Sequence, residues 1–212
     1  MKKILIHLLL LLSLNIAVNA QDSLLVKKRI VGTFHTTNRI YNGLSFGLAS
    51  TMADQRNVKT NGLRLEIPGI GFLSFMGNGF PHAKKPLDLQ NLKYSEEING
   101  LNISTGSWCA CKYAGLTFAA LGQYGKLGKG FSLAGGWNII DHQKGLQVSL
   151  LANRSYFLKG AQVSAFNFNH TGSGLQIGLL NKSMNFKGIQ LGIWNINQKR
   201  KLPLFNWNFS NN

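Results

Sequence analysis

From Gly174 to Asn195 the chain reads GLQIGLLNKSMNFKGIQLGIWN, one phrase written twice with six residues between the copies. In the first copy Leu175, Ile177 and Leu179 alternate with Gly174, Gln176 and Gly178. In the second, Ile189, Leu191 and Ile193 alternate with Gly188, Gln190 and Gly192. A period of two puts every apolar residue on one face of a strand and every small or polar residue on the other. No window carries apolar residues at helical spacing, so the pattern predicts an almost wholly β chain.

The phrase belongs to a longer series. Gly100, Gly115, Gly130, Gly145, Gly160, Gly174 and Gly188 open successive alternating runs at intervals of 15, 15, 15, 15, 14 and 14. Such a ruler is an internal repeat, and it governs the fold. Gln147, Gln162, Gln176 and Gln190 stand two places after their glycines, whereas Asn102, Thr117 and Ser132 hold that place in the earlier units. Asn138, Asn153, Asn167 and Asn181, with Gln123 as their analogue, each precede the next ruler glycine by seven residues, and Asn195 closes the last unit. Asn tolerates turn conformations, so these positions read as strand ends followed by a connection of constant length. The step from 15 to 14 then falls between glycine and asparagine, which reads as a β-bulge.

Two architectures accept one apolar and one small, polar face. A transmembrane β-barrel turns the apolar face to lipid and lines its lumen with the other. A β-solenoid, expected to bury the apolar face, stacks one coil per repeat. A unit of 14 to 15 residues suits a meander of membrane-length strands, and glycines within strands suit a crowded lumen. The preferred expectation is therefore an all-β antiparallel meander closing into an outer-membrane-type barrel of about 10–12 strands, with Gln147, Gln162, Gln176 and Gln190 as a lumen ladder. The solenoid is the alternative. The ending KLPLFNWNFSNN places Phe209 where outer-membrane strands carry a terminal aromatic.

Composition adds a compartment and a charge. Residues 1–20 combine Lys2 and Lys3, an apolar run and a terminal Val-Asn-Ala, the pattern of an export signal, leaving 21–212 as one domain. Within it the regular repeats cover 100–209, the phrases at Gly43 and Gly62 are related, GFLSFMGNG from Gly71 reads as a further strand, and the Pro-bearing segment 80–97 reads as a long loop. Without Lys2 and Lys3 the chain keeps 21 basic residues against 7 acidic ones, a formal charge of +14. Acidic envelope partners follow: membrane lipid or lipopolysaccharide first, acidic glycan second, and no nucleic acid. Cys109 and Cys111 form a C-A-C; on an extended strand their α-carbons stand too far apart for easy bridging, so no disulfide framework is expected.

The tandem phrase and the ending IWNINQKRKLPLFNWNF resemble the bacterial surface repeat-containing proteins over Gly100 to Phe209, and more weakly over Gly43 to Gly79. The resemblance implies an envelope or surface location, no known catalytic activity and no assigned ligand. The chemistry-bearing residues agree with a non-enzymatic reading. His35, His82, His142 and His170 are scattered, with the last two in connections between repeats. Among the seven acids only Glu66 lies in an apparent strand, where Arg64 is its natural ion-pair partner. His142 beside Asp141 does not make a triad, and no carboxylate pair at hydrolase spacing is written. No metal-ligand motif or phosphate-binding loop occurs, and no cofactor is expected. Tyr124, Lys126, Lys129 and Phe131 mix aromatic and basic character, but their aromatics follow the repeat.

Overall fold

The computed structural model describes residues 27–71, 73 and 93–209. The export signal, Asp22, His82, Asp88, most of the 80–97 segment and most of the strand expected from Gly71 lie outside the described residues. Twelve strands follow in order: β1 (Lys27–Thr33), β2 (Arg39–Gly47), β3 (Val58–Glu66), β4 (Glu96–Ser104), β5 (Ser107–Trp108), β6 (Cys111–Ala119), β7 (Gly122–Ala134), β8 (Trp137–Ser149), β9 (Ala152–Val163), β10 (Phe166–Ile177), β11 (Leu180–Ile196) and β12 (Lys201–Asn208).

Neighbouring strands from β1 to β11 lie side by side in parallel, and the path runs linearly on to β12 with the short β5 paired to β7 off that path. Each repeat is one coil of a β-solenoid of about ten turns. The expected barrel is therefore corrected to its alternative. The path has two free ends, and its neighbours are parallel where a meander would alternate. The physical cause lies in the seven residues from each asparagine to the next glycine, which extend as strand instead of forming a connection. In β8, Asn138 through Lys144 pair with β7 and β9 before Gly145 is reached. A coil thus spends its whole length on two strand segments and returns one strand spacing above its start.

The ruler glycines form the corner between those segments. Gly145, Gly160 and Gly174 have φ of +123°, +141° and +125°, a region that side chains with a β-carbon disfavour. They also stack in register, and a β-carbon at Gly160 would stand 2.0 Å from the Gly145 carbonyl oxygen. The same approach holds from Gly62, 2.3 Å from the Gly43 oxygen, to Gly188, 2.0 Å from that of Gly174. Crowding in a barrel lumen is therefore not what these glycines answer.

The change from 15 to 14 residues is absorbed at the other corner. Gly145 to Val148 pairs with Gly160 to Val163 without a shift, and pairing resumes at Ala152 with Phe166. Three residues, 149–151, separate Val148 from Ala152 in one coil, and two, 164–165, separate Val163 from Phe166 in the next. The expected bulge is a corner-length difference, which leaves both segments in register.

At the C-terminal end β12 runs antiparallel to β11 and covers the last coil, with Pro203 in its sequence. Phe209 follows this strand as an exposed residue and closes no barrel. Cys109 and Cys111 are joined by a disulfide, against expectation. Ala110 sits in a bend between β5 and β6, which draws the α-carbons to 5.1 Å.

Replacing Gly160 by Ala imposes both an unfavourable φ and a backbone clash. Denaturant unfolding is expected to show a loss of about 3 kcal/mol or more, while Ser173→Ala, beside the same corner, stays within about 0.5 kcal/mol of the parent.

Candidate binding surface

The polar side of the repeat is the inside. Gln147, Gln162, Gln176 and Gln190 are fully buried, as are Asn138, Asn153, Asn167, Asn181 and Asn195. The solenoid expected to bury its apolar face is therefore inverted. Its polar side chains survive burial because they hydrogen-bond to copies of themselves one coil away. Gln162, Gln176 and Gln190 each donate from Nε2 to the Oε1 of the preceding glutamine, at 2.7, 2.9 and 2.8 Å. Asn138, Asn153, Asn167 and Asn181 donate from Nδ2 to the Oδ1 of the following asparagine, at 3.2, 3.2, 2.8 and 2.7 Å. The two ladders run with opposite polarity, so their amide dipoles oppose each other across the core. The asparagines also donate to the carbonyls of Val148, Val163, Ile177 and Leu191, ten residues on. They are thus buried rungs that stitch the corner, not turn residues, and none has a positive φ.

The glutamine column continues toward the N-terminus through Ser132, Thr117, Asn102, Arg64 and Ser45, all buried. Ser132 is short, and Gln147 Nε2 at the first full rung has no partner. The most charged rung is Arg64. It donates to Glu96 at 2.7 Å and to Glu66 and Asn102 at 2.9 and 3.0 Å, with its guanidinium 4.1 Å from the centre of the Phe34 ring. Arg56 donates to the other oxygen of Glu96 at 2.7 Å. Burial opposes the Arg64 charge, but Glu96 and Glu66 outweigh it and hold its pKa above the ordinary value. Burial likewise pushes the Glu66 carboxyl up, and Arg64, Ser107 and Ser50 bring it below the usual range. Arg56 and Arg64 pair with Glu66, Glu96 and, at 2.8 Å from Arg56, the part-exposed Asp54; this ion-paired cluster is a structural keystone, not an open site.

Other candidates for chemistry stay apart. Among the described residues no three His, Cys, Asp or Glu side chains approach closely enough to hold a metal. His35 faces Arg56 at 2.9 Å. His142 and His170 belong to strands β8 and β10, not to solvated connections, and stack on either side of Tyr156 at 6.2 and 4.6 Å. Asp141 leaves His142 alone and accepts from the Tyr124 hydroxyl at 2.8 Å. Tyr124 is buried, whereas Lys129 and Phe131 both reach the surface, on either side of Gly130.

What the solenoid presents outward is the apolar side. The residues after each glycine stack as Leu44, Leu63, Leu101, Leu116, Phe131, Leu146, Ala161, Leu175 and Ile189. Two places further on stand Phe46, Leu65, Ile103, Phe118, Leu133, Val148, Val163, Ile177 and Leu191. Every residue of both columns is part-exposed or exposed. The corner beyond them adds Leu150, Leu151, Leu179, Ile193 and Trp194, all exposed. An open apolar groove of about 490 Å³ crosses the coils between Ile103 and Val148, floored by Ala119, Ala134 and Gly135.

On the opposite border, one residue before each glycine, Lys129, Lys144, Lys159 and Lys187 stack in one column with Ser173 between the last two. All four lysines are exposed. Sequence reading missed this column, although a lysine before the ruler glycine in four of five consecutive units was visible in the text. In the earlier coils the same column holds Asn42, Asn61 and Asn99, joined by hydrogen bonds of 2.7 and 2.9 Å. No protein-family model matches the chain, and no curated protein or solved structure does so. The surface is therefore interpreted on its own chemistry.

Asn167→Ala removes one rung: Asn181 Oδ1 loses the amide that donates to it, Asn153 Nδ2 loses one of its three acceptors, and the Ile177 carbonyl keeps only the Ser164 N–H inside a dry core. Urea unfolding is expected to show a loss of about 2–4 kcal/mol. A second expectation concerns pH. Burial lifts the Asp141 pKa to about 6, against opposing contributions from Tyr124 and Lys126. The folded state thus favours the protonated acid, so this residue contributes stability that grows as pH falls through about 6 and is complete below the unfolded value of about 4. Melting curves between about pH 7.5 and about pH 5 should show the parent gaining on Asp141→Asn by about 1 kcal/mol.

Proposed function

We propose that the protein is a non-enzymatic, exported binding scaffold, a surface solenoid that engages acidic partners through its lysine column. The observation that carries this reading is the stacking of Lys129, Lys144, Lys159 and Lys187 along one edge. Parallel coils repeat every ~4.8 Å. Lysine heads at that pitch, with one gap at Ser173, form a cationic stripe suited to a ligand with many closely spaced anions and indifferent to its sequence. The chemistry is shared by acidic glycans and by phosphorylated headgroups of membrane lipid or lipopolysaccharide. The formal excess of basic residues in the whole chain supports the same choice of partner.

A structural role in the envelope agrees with a core whose strongest polar groups are consumed by one another. Rigid repetition presents a long, constant surface, which serves binding better than the shaped pocket a reaction needs. The test is retention on heparin resin, used as a soluble-type polyanion. The parent should bind at low salt and elute sharply as salt rises, since the contacts are exposed and screened. Lys144→Gln with Lys159→Gln should lower the elution salt markedly, while Lys27→Gln with Lys28→Gln, off the stripe, should lower it little. Equal effects of the two pairs would show that only net charge matters and would sink the stripe.

A further inference from the structure

The apolar exterior remains unexplained by a binding stripe alone. Monomeric soluble proteins seldom expose a contiguous apolar patch of more than a few hundred Å². Here two apolar columns run unbroken through nine coils, and a third exposed row wraps the corner beyond them. No polar position interrupts the two columns, and no described strand lies across them.

Resting on the polyanion reading above, we infer that this face lies on a lipid surface bearing anionic headgroups. Three features select a membrane over another macromolecule. Protein interfaces mix apolar contacts with about one hydrogen bond per 100–200 Å². The columns offer no side-chain donor or acceptor for such bonds, which suits acyl chains. The backbone of the face is consumed by in-register parallel pairing, so it brings no unpaired peptide groups into an apolar medium. Charge is also placed as a bilayer surface needs it. The lysine column borders the apolar columns at one residue's distance, so acyl-level and phosphate-level contacts can form together. Trp194, 44 % exposed at the far corner, sits where an amphipathic ring favours the interface.

The geometry is that of a protein lying on the bilayer. Its interior holds the two amide ladders and a buried apolar cluster around Ile98, Tyr113 and Ile140, and the opposite segments mix Lys182, Arg154 and His170 with Phe166 and Met184, so unbroken apolar columns lie on one face. The open apolar groove between Ile103 and Val148 lies in that face.

The experiment uses the protein as the cell exports it, mixed with vesicles of phosphatidylcholine alone or with phosphatidylglycerol added, and separated by flotation. Anionic vesicles should carry the protein and neutral ones should carry far less. Ile177→Glu with Leu191→Glu changes only outward positions. It should weaken vesicle binding by about tenfold or more, while heparin elution falls only as little as for Lys27→Gln with Lys28→Gln, which changes the net charge by the same amount. Lys144→Gln with Lys159→Gln should weaken both. If the charged apolar-face variant misfolds, as far-ultraviolet circular dichroism would reveal, the parent still decides the matter. Brominated acyl chains should quench its tryptophan fluorescence, and Trp194→Phe should remove much of that quenching.

Heparin binding without vesicle binding would overturn the lipid face and leave the polyanion reading standing. Loss of heparin binding alone would overturn the polyanion reading instead. A dimer in solution that the Ile177 and Leu191 substitutions split, with no vesicle binding in the parent, would assign the face to a second copy and reject the membrane.

Discussion

Every coil depends on a contact that no other residue type allows: a glycine α-carbon set against the carbonyl oxygen of the glycine one coil below. A β-carbon at Gly174 would lie 1.9 Å from the Gly160 oxygen, and φ at that corner is +125°. The constraint is geometric and repeats at each level. It sets where the chain turns, and so which residues stack on which. Because parallel register then holds along the column, identical residues in successive repeats must meet.

Stacking of like on like explains which face is inside. Glutamine above glutamine and asparagine above asparagine can donate and accept in an endless line, so burial leaves few amides unpaired. Leucine above leucine loses nothing by facing outward if another surface covers it. Where the repeat departs from amides, the core needs a different solution. Arg64 interrupts the column, and Glu66, Glu96 and Phe34 are gathered around it. The ends of the stack are a separate problem, since a parallel edge offers free backbone groups to any strand. β12 closes the C-terminal end by reversing direction, and Asn206 donates to Gln190 Oε1 to continue the ladder into the cap.

The candidate surface is the outer counterpart of the same register. One column of lysines and two of apolar residues arise from the repeat without any special loop, insertion or pocket. This kind of site is tolerant of single changes in detail and intolerant of changes in phase. Loss of one lysine removes one charge in four, whereas a shift of one residue at a glycine corner exchanges the inside with the outside.

Much of this was legible in the residues themselves. The alternation at Gly174 and Gly188 specified strands, the glycine ruler specified the repeat, and Gln147, Gln162, Gln176 and Gln190 stood out as one equivalent set. The spacing of lysines before the glycines was legible too, though only stacking gives it meaning. Three things needed the tertiary structure. The residues from each asparagine to the next glycine carry no strong period-two signal, so their strand character came only from pairing on both sides. Cys109 and Cys111 met because a bend, which local spacing does not encode, drew their α-carbons together. The direction of the two faces was the deepest of these. Period two separates an apolar set from a polar set, but it is symmetric to exchange of inside and outside. What breaks that symmetry is the register between coils, which lets buried amides pair with their own copies.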